Sequence, residues 1–262
     1  MPPCVGAVLL YAFWSAPGAQ WALPALAHPL GTDEFGRDLL ATLLAAVGLS
    51  LLKGLAITSA ALVVSIAAAE LVTLRHRSGL AAAARIAANV VESVPVVLWI
   101  FIVVIAVPGP RFLVVALAFC LVVLPIATQL LSGEFFRLRA APYVEAAYHL
   151  GTGEIRVLAR YILPNAAAVI VPFGLQVLGA AIAVDGAIGV IGLGSRSDLD
   201  LGIFLLRGKE NFFLHPQVLI ASVIAYGLLY AYLMWIGATF SRVAGRTAVD
   251  TPDGPPLATG QL

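Results

Sequence analysis

The sequence predicts an all-α fold: a polytopic membrane protein with about six transmembrane helices. Three observations predict it. Of 262 residues, 61% are hydrophobic and only 11% charged, against roughly 25% charged in soluble domains. Mean hydropathy is +1.00. Several apolar runs approach the roughly 20 residues that a helix needs to cross a bilayer core of about 30 Å. Between these runs, segments reach only about 25 to 30 residues, too short for an independent core.

The runs are Val5 to Ala16, Leu49 to Leu74, Val90 to Val107, Phe112 to Leu131, Asn165 to Leu193 and Val218 to Phe240. The first is short for a span. The third ends at "PGPR". Residues 247–262, "TAVDTPDGPPLATGQL", are polar and Pro/Gly-rich, the composition of a disordered tail. No secretory signal with a basic start and a small-residue cleavage site opens the chain.

Basic residues set the expected orientation. With both termini on one side, that side holds Arg75, Arg77, Arg85, Arg137, Arg139, Arg156, Arg160, Arg242 and Arg246. The other holds Arg37, Lys53, Arg111, Arg196, Arg207 and Lys209. The excess makes both termini cytoplasmic.

Several classes are excluded. A net charge of +1 carries no nucleic-acid signal. Cys4 and Cys120 lie in apolar runs and read as small buried hydrophobes. His28, His76, His149 and His215 lack metal-ligand spacing, so each is expected to be solvated or interfacial. There is no phosphate loop, since Gly208-Lys209 lacks the upstream glycine and continues with Glu210. No nucleophile elbow or zinc-helix motif is present.

The stretch "YVEAAYHLGTGEIRVLARYILPN", residues 143–165, is the polar exception. Pro142 suits the first turn of a helix, which should run to about Leu150. Gly151 should end it in a left-handed conformation. Thr152 can cap a second helix with Glu154 at its positive end. Ile155, Leu158 and Ile162 fall on one face, and Arg156 and Arg160 on another. Helices of about ten residues are marginal alone. The insert is therefore either a docking knob for a partner or an ordinary loop on the membrane surface.

Glu145-Ala146-Ala147, Gly151 and Ile162-Leu163-Pro164 together resemble the "EAA" loop of permease subunits in bacterial ABC importers. "HPLGTDEFGRDLL", His28 to Leu40, resembles a segment of the dipeptide/oligopeptide/nickel branch. "VIGLG", Val190 to Gly194, resembles that branch's "SFLGLG". Tyr161 stands where many such loops have isoleucine, Gly189 and Val190 replace Ser-Phe, and "SRSDLDLGIF" replaces a Pro- and Trp-containing segment.

The resemblance implies a single permease domain over residues 1–246, with a core at 41–240 and an ATPase-coupling loop at 137–164. It implies a non-catalytic subunit without a cofactor of its own, ATP and Mg being bound by partners. Those partners would be a second homologous permease, two ATPase subunits and a periplasmic or extracellular solute-binding protein. The setting would be the bacterial cytoplasmic (inner) membrane, and the mechanism alternating access. The substrate would be di- or oligopeptides, with nickel or a metal chelate as the alternative. A secondary transporter would need coupling-ion sites near mid-membrane, for which only Asp185 offers itself.

Asp185 lies inside the fifth apolar run, where a charge must face protein or water. It either lines the translocation pathway or is a structural group bonded to neighbouring helices. Lys53, Glu70 and Glu92 lie near run ends, where reaching the interface is cheap, and are read as structural. In the external family motif, His28, Pro29 and Gly31 suggest a fixed turn, and Thr32 or Asp33 could cap the next helix. Gly36, Arg37 and Asp38 complete the motif. Arg37 and Asp38 are read on that helix's outer portion, as structural or gating residues.

Overall fold

The computed structural model describes residues 20–26, 28–75, 79–193 and 200–249. The first apolar run, the last residue of "VIGLG", and residues 250–262 lie outside them. The described residues are α-helical apart from turns and two isolated β-bridges. The helices are α1 (Leu39–Leu74), α2 (Gly79–Glu92), α3 (Val96–Ala106), α4 (Arg111–Arg139), α5 (Pro142–His149), α6 (Glu154–Val157), α7 (Leu163–Val190), α8 (Leu201–Glu210) and α9 (Pro216–Val249). Helix α9 continues to Val249, three residues into the segment whose composition suggests a disordered tail.

Four of these, α1, α4, α6–α7 and α9, are long and apolar enough to cross a membrane. The third expected span differs. The run Val90–Val107 straddles a break in which α2 and α3 are bent by 91°. Pro95 causes it: the ring offers no N–H and disfavours helix at Val94. The 11 residues of α3 extend only about 16 Å, so α3 alone does not span the core. Hydropathy counts Pro95 as one residue in an apolar run and is blind to the turn it imposes. Trp99 Nε1 donates to the Val91 carbonyl across the bend at 3.3 Å. Arg111 Nη1 donates to the Val104 carbonyl at 2.9 Å, closing the α3–α4 corner.

Helix α1 is the axis of the bundle, packing on α4 and α7, while α9 packs on α7 and α8. The main core joins Ile57 and Ala61 of α1, Ile100 and Val104 of α3, Phe119 of α4 and Val177 of α7. A second core seats the polar insert on Ala69, Leu131, Phe135 and Leu138. A third, at the opposite or far end, joins Leu39 and Leu43 to Leu201, Phe204 and Val218. Outward-facing Leu55, Val63, Ile105, Leu117 and Leu228 are exposed. An apolar exterior of this extent suits hydrocarbon or another apolar subunit.

Candidate functional site

The insert forms a compact knob. Helix α5 starts with Pro142 at its first turn and ends at Gly151, φ +78°. The Gly151 N–H donates to the Tyr148 carbonyl at 2.9 Å and the Thr152 N–H to the Ala147 carbonyl at 3.1 Å. These two bonds are the glycine-terminated helix end expected there. Thr152 does not cap the next helix, because the helix begins one residue later than that role requires and carries no side-chain cap. Gly153 is the N-cap of α6 and its carbonyl accepts from Arg156 and Val157.

Beyond Val157 the helix widens into a π-turn over Leu158–Ile162 before α7. The Leu163 N–H donates to the Leu158 carbonyl. Pro164 explains the widening, since its ring would clash with the Arg160 carbonyl in a regular helix. The π-turn also shifts the register. Val157 and Ile162 are fully buried, whereas Ile155 is 85% exposed, contrary to the expected Ile155–Leu158–Ile162 face.

Val144 and Ala147 are the buried positions of α5. Glu145, Ala146 and His149 are exposed, as are Gly151 and Pro164, while Leu163 is half-buried. Glu145 and His149 approach only to 3.9 Å. Leu150 is exposed too, as are Arg156 and Arg160. The knob thus has an apolar underside and a free outer face carrying both charge signs.

The underside is pinned by a polar cluster that spacing did not reveal. Arg139, the last residue of α4, pairs through Nη2 with Glu70 of α1. Its Nη1 donates to Glu154 Oε2 at 2.9 Å and to the Tyr148 hydroxyl. Tyr148 in turn donates to Glu154 Oε2 at 2.7 Å. Burial, and then this bond to Glu154, push the Tyr148 hydroxyl up to about 12, so it remains a proton donor. Glu70 therefore pairs inside the fold and does not reach for the interface.

At the far end the motif from His28 to Asp38 is a self-bonded turn. Buried Asp33 accepts from the Phe35 N–H at 2.9 Å and from Arg37 N–H and Nε, both at 2.8 Å. Buried Asp38 accepts from the Ala41 N–H and lies 2.9 Å from His28 Nδ1. Asp38 is thus the N-cap of α1, in place of Thr32 or Asp33, and Arg37 precedes the helix. Thr32 is buried and its Oγ1 accepts from the Ala22 N–H. Gly31 and Gly36 take φ +80° and +76°, and Pro29 is exposed. Arg207 of α8 pairs with Glu34 at 3.0 Å, and the guanidiniums of Arg37 and Arg207 both lie over the Phe35 ring.

Asp185 sits on α7 beside Asp200 and Lys53. Lys53 Nζ lies 2.6 Å from Asp200 Oδ2. Asp200 also caps α8 by accepting from the Gly202 N–H. Lys53 therefore pairs within the fold, in keeping with its reading as a structural charge. The close approach of α7 and α8 requires Gly189 and Gly202. A Cβ on Gly189 would stand 2.6 Å from the Gly202 Cα.

This arrangement of crossing helices and a docked knob can be compared with known proteins. The family described as "Binding-protein-dependent transport system inner membrane component" matches residues 61–246. The chain belongs to that family. A glutathione transport system permease protein, GsiD of Pectobacterium atrosepticum, is 26% identical over 79% of this chain and 70% of its own. The dipeptide transport system permease protein DppC of Alkalihalophilus pseudofirmus is 28% identical over 72% of this chain and 62% of its own. The fold matches the inward-facing MetNI methionine ABC transporter with a TM-score of 0.60 at 14% identity, over 79% of this chain and 97% of that one. This inner membrane component is a multi-pass transport permease. The family match takes in the knob, the Lys53-facing part of α7 and most of α9, but begins downstream of the His28–Asp38 turn.

Proposed function

We propose that this permease forms, with a second related permease chain, the translocation path of a peptide importer. Separate ATPase subunits bind ATP and Mg and drive it, and a solute-binding protein delivers di- or oligopeptides. In this reading residues 137–164 are the coupling loop and residues 1–246 one permease domain. Glu145, Ala146 and Gly151 face the ATPase side, Ala147 seats α5 against the fold, and Ile162, Leu163 and Pro164 return the chain to the membrane. Both termini and the knob are then cytoplasmic, and the His28–Asp38 turn is external.

The observation that carries the reading is the knob. Its two short helices dock by one face and leave a free outer face with charges of both signs. The eight-residue α5 is marginal alone and is held by packing one face on the fold, which leaves its outer face available to a partner. The relatives named for glutathione and dipeptide transport support a peptide substrate.

Reconstitution tests it. The permease, its second permease chain, the ATPases and the binding protein should accumulate labelled dipeptide in vesicles only with ATP. Undiminished uptake without the ATPase subunits ends the importer reading. Binding of nickel instead of dipeptide by the solute-binding protein replaces the substrate.

A further inference from the structure

We propose that Arg139 is a positioning residue that makes the knob and α1 move as one body. The proposal rests on the coupling role given to the knob above. It concerns how motion leaves the knob once an ATPase subunit displaces it.

Two kinds of contact hold the knob. The first is apolar: Val144, Val157 and Ile162 lie against Ala69, Leu131, Phe135 and Leu138. Such contact is non-directional, so it resists separation more than sliding. The second is the Arg139 cluster, and it is directional. One guanidinium reaches Glu70 on α1, Glu154 at the start of α6 and Tyr148 on α5. The Arg139 and Glu70 side chains are only 15% and 12% exposed, so water screens that pair weakly, while Glu154 at 48% exposure is the more solvated arm. Its planar fork can serve two carboxylates at once, which a lysine ammonium on a flexible stem cannot do in fixed geometry.

Two carboxylates meet one guanidinium. Arg139 Nε and Glu70 Oε2 are buried with no hydrogen-bond partner. A shift of the knob relative to α1 would have to break the Glu70 arm, which leaves buried charges unpaired, or the half-exposed Glu154 arm, which releases a carboxylate to water. Moving α1 along with the knob costs neither arm. The cluster therefore favours transmission over slippage.

The test uses the complete importer in vesicles, with dipeptide taken up per ATP hydrolysed as the readout. ATPase co-purification and melting temperature are measured in parallel. Glu70→Gln removes the charge on α1 and keeps an acceptor. Arg139→Lys keeps the charge and removes the fork. Tyr148→Phe removes one hydroxyl and leaves every charge. Glu70→Gln and Arg139→Lys should retain the ATPases and hydrolyse ATP, while uptake per ATP falls about fivefold or more. Tyr148→Phe should fall less.

A cluster that only holds the fold would lower yield or melting temperature and leave uptake per ATP of the purified complex unchanged. That result overturns the proposal. If Arg139→Lys does not assemble, the same criterion applied to Glu70→Gln and Tyr148→Phe decides. Wild-type complex without ATPases is the separate control. Uptake that needs ATPases but ignores these substitutions ends this proposal alone, not the importer reading.

Discussion

Lys53 of α1 and Asp200 at the start of α8 are 147 residues apart in sequence, yet Nζ and Oδ2 lie 2.6 Å apart. The pair is buried, with side-chain exposures of 17% and 4%. Asp185 stands beside it, within electrostatic range of both groups. Lys53→Met should therefore destabilise strongly, by about 3 kcal/mol or more, because both carboxylates lose their cation. Adding Asp200→Asn, which keeps a cap for α8, should recover much of the loss. Melting of the detergent-purified permease checks this, and a wild-type melting temperature for Lys53→Met alone would refute it.

Asp185→Asn is expected to behave differently. It removes one of two neighbouring carboxylates while keeping shape and hydrogen bonding. The complex should assemble with undiminished melting temperature, and dipeptide uptake should persist at a substantial level. Normal assembly with uptake abolished would instead place the Asp185 charge in the translocation path.

Gly189 and Gly133 separate close packing from mere helix propensity. At Gly189 a methyl group would meet the Gly202 backbone at 2.6 Å, and two backbones would have to part. Gly189→Ala should cost about 1–3 kcal/mol. At Gly133, within α4, nothing lies within 4 Å of the added Cβ. Gly133→Ala should be neutral or stabilise by up to about 1 kcal/mol. Equal melting temperatures for the two variants would contradict this packing.

Gly151→Val tests the turn of the knob. Space is open around Gly151, so the cost comes from φ +78° alone. A β-branched residue there costs roughly 1 kcal/mol or more and re-aims α6 with Arg156. Membrane insertion should be unchanged, since no long apolar helix is altered. ATPase co-purification, or substrate-stimulated hydrolysis and uptake, should fall. Wild-type values in all three assays would reduce the knob to an ordinary surface loop.

The long helices are legible in the sequence because about 20 consecutive apolar residues leave few alternatives to a buried or membrane helix. The bend at Pro95 is less legible, since hydropathy averages over it. Pro142 and Gly151 mark the ends of α5 because each carries its own backbone preference. Spacing fails one turn later, where the π-turn before Pro164 moves Val157 inward and leaves Ile155 out. It fails also for Lys53 and Glu70. Their partners, Asp200 and Arg139, are distant in sequence, and only the general cost of charge in an apolar segment hints that partners exist. Asp38 as the cap of α1 was available in principle, as an Asx residue directly before a helical run.

Helix α1 is unbroken from Leu39 to Leu74, and its two buried ion pairs lie 17 residues apart, at Lys53 and Glu70. At about 1.5 Å and 100° per residue, the two anchors are some 25 Å apart and differ by about a quarter-turn around the axis. A rod held at two heights and two azimuths can neither roll about its axis nor slide along it without breaking a buried pair. Tilt remains. If the ends exchange mechanical information, α1 does so as a lever, and the fulcrum lies between those anchors, where Ile57 and Ala61 meet Ile100, Phe119 and Val177.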